Sequence, residues 1–238
     1  LLSVSRASAQ HYIGVRGGYG SGSSRLYPAK YENGTIWGLY TAGLSWKFYT
    51  AERVAGGVEV DLLWMQQVFK PFAFTYIDPS NEDLGRERTS YYQRKVSSIV
   101  MPILWQPHLY MVDQKMRVFA NLGVTFSYNM SAREETMTYS TGVKTSNDYT
   151  FKTVRDNRWG YGLCIGAGAS WAIGRFEIFG EARYYLGFSD IQKSRAKYVN
   201  SGTGEYQHYD YLRTPLDGMQ LHAGCFFRLG KGGIRSPP

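Results

Sequence analysis

Two carboxylates four residues apart, Glu177 and Glu181 in FEIFGEARYYLGFSD, are the first candidates for chemistry, because paired acids can divide general-acid and general-base work. Their spacing decides against it. The segment alternates with period two, which is an extended strand, so the two Cα atoms lie roughly 13 Å apart, too far to share a proton or to form a glycosidase pair. The expected role is that of counter-ions to Arg183 and its neighbours. The histidines His11, His108, His208 and His222 are scattered, and none stands at ligand spacing from a cysteine or a second histidine, so no metal or other cofactor is expected. His208 in EYQHYDYLRT is the one loop histidine that could serve a lipid-modifying enzyme or protease at an external rim, and its aromatic neighbours read equally well as loop packing. The glycines around Gly14 to Gly20 and Gly166 to Gly168 lie inside strand patterns and not at a strand-to-helix turn, which removes the phosphate-cradle reading. No catalytic residue is assigned, and the chain is read as not an enzyme.

The elements that hold these residues are strands. From Trp159 to Ile173 the odd positions are apolar and the even ones small. After Gly174 the alternation resumes, with Phe176, Ile178, Tyr184, Leu186 and Phe188 on one face and Glu177, Glu181 and Arg183 on the other. Two long strands joined by almost nothing make a hairpin. Alternation alone suits either a soluble sandwich with its apolar face in a core or a membrane barrel with its apolar face in lipid. The rest of the chain chooses. Comparable strands occur in HYIGVRGGYG, TIWGLYTAGLSWKFY, GVEVDLLWMQQVF, RKVSSIVMPILWQP, KMRVFANLGVTFSYNM and GMQLHAGCFFRLG, and the segments between them alternate long and short. Long polar loops are expected over Lys70 to Tyr92, Arg133 to Asn157 and Ile191 to Asp217. Pro102, which lacks an N–H, predicts a bulge.

This rhythm predicts an all-β, eight-stranded antiparallel up-and-down transmembrane β-barrel in a bacterial outer membrane, with both termini periplasmic. A hydrophobic content of 43% without any run of the roughly 18 to 20 apolar residues that a membrane helix needs excludes helical spanning. Twenty Tyr and 27 Gly fit many strands and turns. In that geometry Arg16, Glu59, Asp61, Arg117, Glu177, Glu181, Arg183, His222 and Arg228 face the lumen as a charge network. Trp46, Trp64, Tyr128, Trp159, Trp171, Tyr184, Phe188 and Phe227 face lipid. Cys164 falls on the lumen phase and Cys225 on the apolar phase, so two free thiols are expected. An eight-stranded lumen is just wide enough for side chains to fill it.

The opening LLSVSRASAQ reads as the end of an export signal with cleavage between Ala9 and Gln10. Residues 1–9 would then be a residual signal segment, 10–230 the barrel and 231–238 a periplasmic C-terminal tail. The net charge of +8 is spread over loops and inward positions without a basic run, so no nucleic acid is expected as a partner; lipopolysaccharide phosphates at the loop rim are the expected counter-ions.

IGVRGGYG, the strand-borne Pro102 in IVMPILW, MRVFANLGVTFSY, YGLCIGAGASW, FEIFGEARYYLGFSDI and the closing QLHAGCFFRLG together resemble the small outer-membrane β-barrel proteins of Bacteroidota called PorT-like. The resemblance spans nearly the whole chain after residue 9. It implies contact with outer-membrane lipids and with other outer-membrane or periplasmic proteins, because members of that family include accessory barrels of the type IX secretion system. An independent porin-like or adhesive surface protein is the alternative. KGGIRSPP departs from the pattern, since such barrels commonly stop at an aromatic-ended last strand.

Overall fold

The computed structural model describes residues 9–25, 35–50, 54–77, 87–112, 115–138, 142–153, 156–193, 197–199, 206–208 and 213–229. Residues 1–8 of the expected signal segment 1–9, and the tail 231–238, lie outside them. The strands, in chain order, are β1 (Ala9–Ser24), β2 (Ile36–Thr50), β3 (Val54–Ile77), β4 (Glu87–Met111), β5 (Met116–Thr138), β6 (Lys144–Tyr149), β7 (Trp159–Ile173), β8 (Phe176–Asp190), β9 (Lys197–Val199), β10 (Tyr206–His208) and β11 (Pro215–Leu229).

Eight of them close a barrel. The hydrogen-bonded order is β4-β3-β2-β1-β11-β8-β7-β5, and β4 pairs back onto β5, all antiparallel. Closure leaves none of these strands an unpaired edge, the condition for carrying a backbone through hydrocarbon. The first and last strands complete the ring through an unbroken register from His11↔Leu229 to Ser24↔Leu216. The barrel therefore has one end that carries both terminal strands' outer ends and the short turns, and another that carries the long connections. Gly174, at φ +62°, makes the tight β7–β8 turn at the first end.

The alternation becomes an outside and an inside. Ile13, Val15, Leu44, Leu62, Leu122, Ile165, Ile178 and Leu221 are exposed on the outer wall, a sheath of large apolar side chains that water would not tolerate and lipid does. Aromatic rings collect toward both ends of it. Trp46, Trp105, Trp171 and Phe176 lie toward the terminal end, and Trp37, Tyr40, Trp159, Tyr161 and Phe188 toward the long-loop end. From Trp159 to Trp171, about twelve steps of about 3.3 Å on a strand tilted by about 40° rise about 30 Å, a bilayer core's thickness.

Three expectations are corrected. Lys70 to Tyr92 is not a loop for most of its length, since β3 runs to Ile77, β4 starts at Glu87, and the two stay paired out to Ile77↔Glu87. Likewise β5 continues to Thr138 and β6 pairs beside it. Beyond the membrane neither face of a hairpin has to be apolar, so the ladder continues without the alternation that marks it in sequence. The third correction is Pro102, where no bulge forms. It pairs with Thr125 in straight register, and the β4–β5 shift lies between Ser97 and Ser98. On its other side the β3–β4 ladder skips from Val60↔Ile103 to Leu63↔Val100 in the same register. The proline sits where a ladder bond is left out, so its missing N–H costs nothing.

The lipid-facing assignment carries a depth-dependent test. Replacing Ile165, midway along the outer face of β7, by Arg should cost about 2–4 kcal/mol, whereas Ile173→Arg at the terminal end should cost about 1 kcal/mol or less. Urea unfolding in phospholipid vesicles measures both, and equal costs would place this face away from the bilayer.

Candidate functional site

The lumen is built in three layers. Nearest the terminal end, Tyr12, Phe179 and Phe226 form a buried aromatic floor with Tyr110 packed against it. Their rings also receive cations: Lys47 Nζ lies 3.7 Å from the Phe226 centroid, and the Arg16 guanidinium 5.0 Å from that of Phe179.

The middle layer is ionic. Arg16 (β1) binds Glu59 (β3) and Glu181 (β8), and its Nε donates to Ser45 Oγ at 2.6 Å. Arg183 (β8) reaches across to Asp61 Oδ2 at 2.6 Å and to Glu59, while its Nε lies 2.8 Å from Glu181 Oε1 in poor alignment for a hydrogen bond. Lys47 (β2) and Arg117 (β5) both donate to Glu177 Oε1, at 2.8 and 2.6 Å. Gln106 (β4) joins the two halves, accepting from Arg117 Nη1 at 2.7 Å and donating to Glu59 Oε2 at 2.9 Å and Asn121 Oδ1 at 2.8 Å. Asn121 passes the connection on to Glu181 Oε2 at 2.8 Å. Four cations, Arg16, Lys47, Arg117 and Arg183, thus meet four carboxylates, Glu59, Asp61, Glu177 and Glu181, all buried. His222 Nδ1 sits 3.2 Å from Glu181 Oε1. Exclusion of water is what makes this balance necessary, because an unpaired ion here would cost several kcal/mol.

Toward the long-loop end the lumen holds two apolar clusters, Leu63, Met65, Val100, Leu104, Cys164 and Tyr185 packed together and Val96, Ala132, Phe151, Ile191 and Leu216 above them, beside buried polar pairs such as Ser98 with Asn129.

Of the charges assigned to the lumen from sequence, Arg228 stands apart. It is buried near the floor, and its Nε has no hydrogen-bond partner among the described residues. Lys47, Gln106 and Asn121 complete the network and were not among the sequence candidates, although Lys47 stands between outward Trp46 and Phe48 and so has the inward phase. The apolar clusters were missed too, because inward Leu63 and Met65 look like lapses in alternation. On the outside, Trp46, Trp64, Trp159, Trp171, Tyr184 and Phe188 are exposed, and Tyr128 and Phe227 are half-buried against Trp159 and Phe176, with centroids 4.9 and 5.3 Å apart. Both cysteines are free, Cys164 buried in the lumen. Among the described residues no group of His, Cys, Asp and Glu is arranged to hold a metal ion. The side chain of His208 lies outside the described residues, although its backbone pairs β10 with β9.

Held this way, the acids and bases of the middle layer are bound to one another. Glu59→Gln, which takes a charge from between Arg16 and Arg183, should destabilise the barrel by about 3–5 kcal/mol. Glu135→Gln, which weakens a partly exposed pair with Lys95 (3.2 Å), should cost less than about 1 kcal/mol. Equilibrium unfolding of the refolded variants compares them, and a Glu59→Gln barrel as stable as Glu135→Gln would mean that the lumen is solvated.

Among solved structures the chain is similar to OprG of Pseudomonas aeruginosa (12% identity, 93% of this chain and 97% of that one, TM-score 0.43). It is also similar to the attachment invasion locus protein Ail of Yersinia pestis, solved with a heparin analogue (11%, 91% and 99%, 0.35). A third is the outer-membrane protease OmpT of Escherichia coli (8%, 96% and 99%, 0.33). Nothing about this chain's activity follows from likenesses so distant, and none of the curated proteins matches it. The sequence profile of the outer membrane protein beta-barrel domain matches residues 8–193, and the chain belongs to that family of outer-membrane β-barrels.

Proposed function

We propose that the protein is a non-enzymatic outer-membrane barrel with a closed lumen that serves as an accessory or structural subunit of a larger secretion or outer-membrane assembly complex. One observation carries the reading: four cations and four carboxylates fill the middle of the barrel in mutual contact. A lumen sealed this way has nothing to conduct, which leaves the surfaces as the working parts. β3, β4 and β5 have 24, 25 and 23 residues, against 15 in β2, β7, β8 and β11. With β6 added, they raise one side of the barrel roughly 20 Å above the rest. Such a raised wall suits a protein partner. In the proposed orientation both termini are periplasmic and the wall is outside the cell, in keeping with short turns on the periplasmic side of such barrels. The PorT-like resemblance supports a type IX-like secretion machine as the complex, with residues 231–238 as a periplasmic contact.

The raised wall also favours a second reading, an adhesive surface protein that works alone. Mild solubilisation separates the two. The subunit reading expects the tagged protein to leave the membrane in a stoichiometric complex with other outer-membrane or periplasmic proteins, and recovery as a partner-free monomer would contradict it.

A further inference from the structure

The ladder between β7 and β8 stops before the long-loop end. It runs from Ile173↔Phe176 to Gly162↔Gly187. Beyond that pair the Tyr161 amide donates to Ser189 Oγ at 2.9 Å. The chains meet again where Asn157 donates its backbone N–H to the Ile191 carbonyl at 2.9 Å and its Nδ2 to the Asp190 carbonyl at 2.8 Å. Gly160 stands in the gap, where a Cβ would strike the hydroxyls of Ser127 and Ser189. The wall is notched here. On its outer face lies a groove of about 740 Å³ lined by Phe126, Trp159, Tyr161 and Phe188, with Asn157 and Arg213 among its polar residues. On the lumen side the corresponding void is about 40 Å³, so the notch admits a water-sized group and no chain.

The four rings belong to the lipid-facing wall, so a membrane lipid covers them. The charges beside them select which lipid. Arg213 is tied by Nε to Asp190 (3.1 Å) and by Nη2 to the Phe188 carbonyl (3.0 Å). Its Nη1 makes no hydrogen bond among the described residues, and the side chain is 54% exposed. Arg158 is held by the Tyr128 hydroxyl at 3.3 Å, and Lys193 by the Thr153 carbonyl. Of the acids here, Asp156 already accepts from the Tyr149 hydroxyl and the Lys152 amide (2.7 and 2.9 Å), and Asp190 from Arg213 and the Thr214 amide. A pre-positioned guanidinium at an aromatic groove, that of Arg213, suits an anion attached to an acyl chain.

We infer that the β7–β8 notch is a specific site for the phosphorylated saccharide lipid of the outer leaflet, with one acyl chain along Phe126, Trp159, Tyr161 and Phe188 and a phosphate on Arg213. The choice of leaflet rests on the proposed orientation, while binding itself needs no partner protein.

The folded chain in detergent is titrated with lipid A, with the same lipid stripped of its phosphates, and with phosphatidylglycerol, and bound lipid is counted by native mass spectrometry. One lipid A should be retained. Phosphate removal, and separately Arg213→Gln, should each weaken retention about tenfold, the worth of one charge-assisted hydrogen bond. Phe188→Ala should weaken it also, while Lys144→Gln should not, and heat-dependent gel mobility reports that each variant is folded. The phosphate-free lipid needs no variant at all. Equal retention of lipid A and its phosphate-free form, or no lipid retained, overturns the site. Preference for phosphatidylglycerol overturns the assignment to the outer leaflet and with it the orientation, leaving the complex-subunit reading to its own test.

Discussion

An eight-stranded barrel leaves an interior so narrow that side chains, not water, must fill it, and the rest of the structure follows from that constraint. Any charge placed inside must be answered inside. Arg16, Lys47, Arg117 and Arg183 are answered by Glu59, Asp61, Glu177 and Glu181, with Gln106 and Asn121 taking up hydrogen bonds the ions leave over. Seven barrel strands contribute to that set: β1, β2, β3, β4, β5 and β8 through ions or amides, and β11 through His222. The network therefore crosses the lumen and ties the strands of opposite walls together.

Buried ion pairs are poor evidence of net stability, because desolvation cancels much of their attraction. Their stronger effect here is on uniqueness. A one-residue slip of any strand would turn its ions to lipid and its apolar side chains into an ionic lumen, so the network penalises every wrong register. The aromatic floor and the apolar clusters toward the long loops then bracket this ionic layer.

Much of this was legible in the sequence, for a physical reason. In a membrane barrel the two faces of each strand meet opposite solvents, so period-two alternation reports facing directly; Arg183 beside outward Tyr184, and Glu59 beside outward Val58, could be assigned by phase alone. The signal fails where the solvent contrast disappears. Above the membrane the contrast between lipid and lumen is gone from the β3–β4 and β5–β6 pairs, and their sequence reads as loop. Inside the apolar clusters Leu63 and Met65 match the lipid-facing residues in type, so phase and polarity disagree. Lys47 had the right phase and was hidden by the aromatic residues around it. The notch at Gly160 depends on where a backbone ladder ends, and side-chain type does not encode that.

Whether the ionic layer closes the bore is read from conductance. The purified, refolded protein inserted singly into planar bilayers should show no stable open level at any modest voltage or salt concentration. A steady, reproducible single-channel conductance from the wild-type barrel would contradict a closed bore.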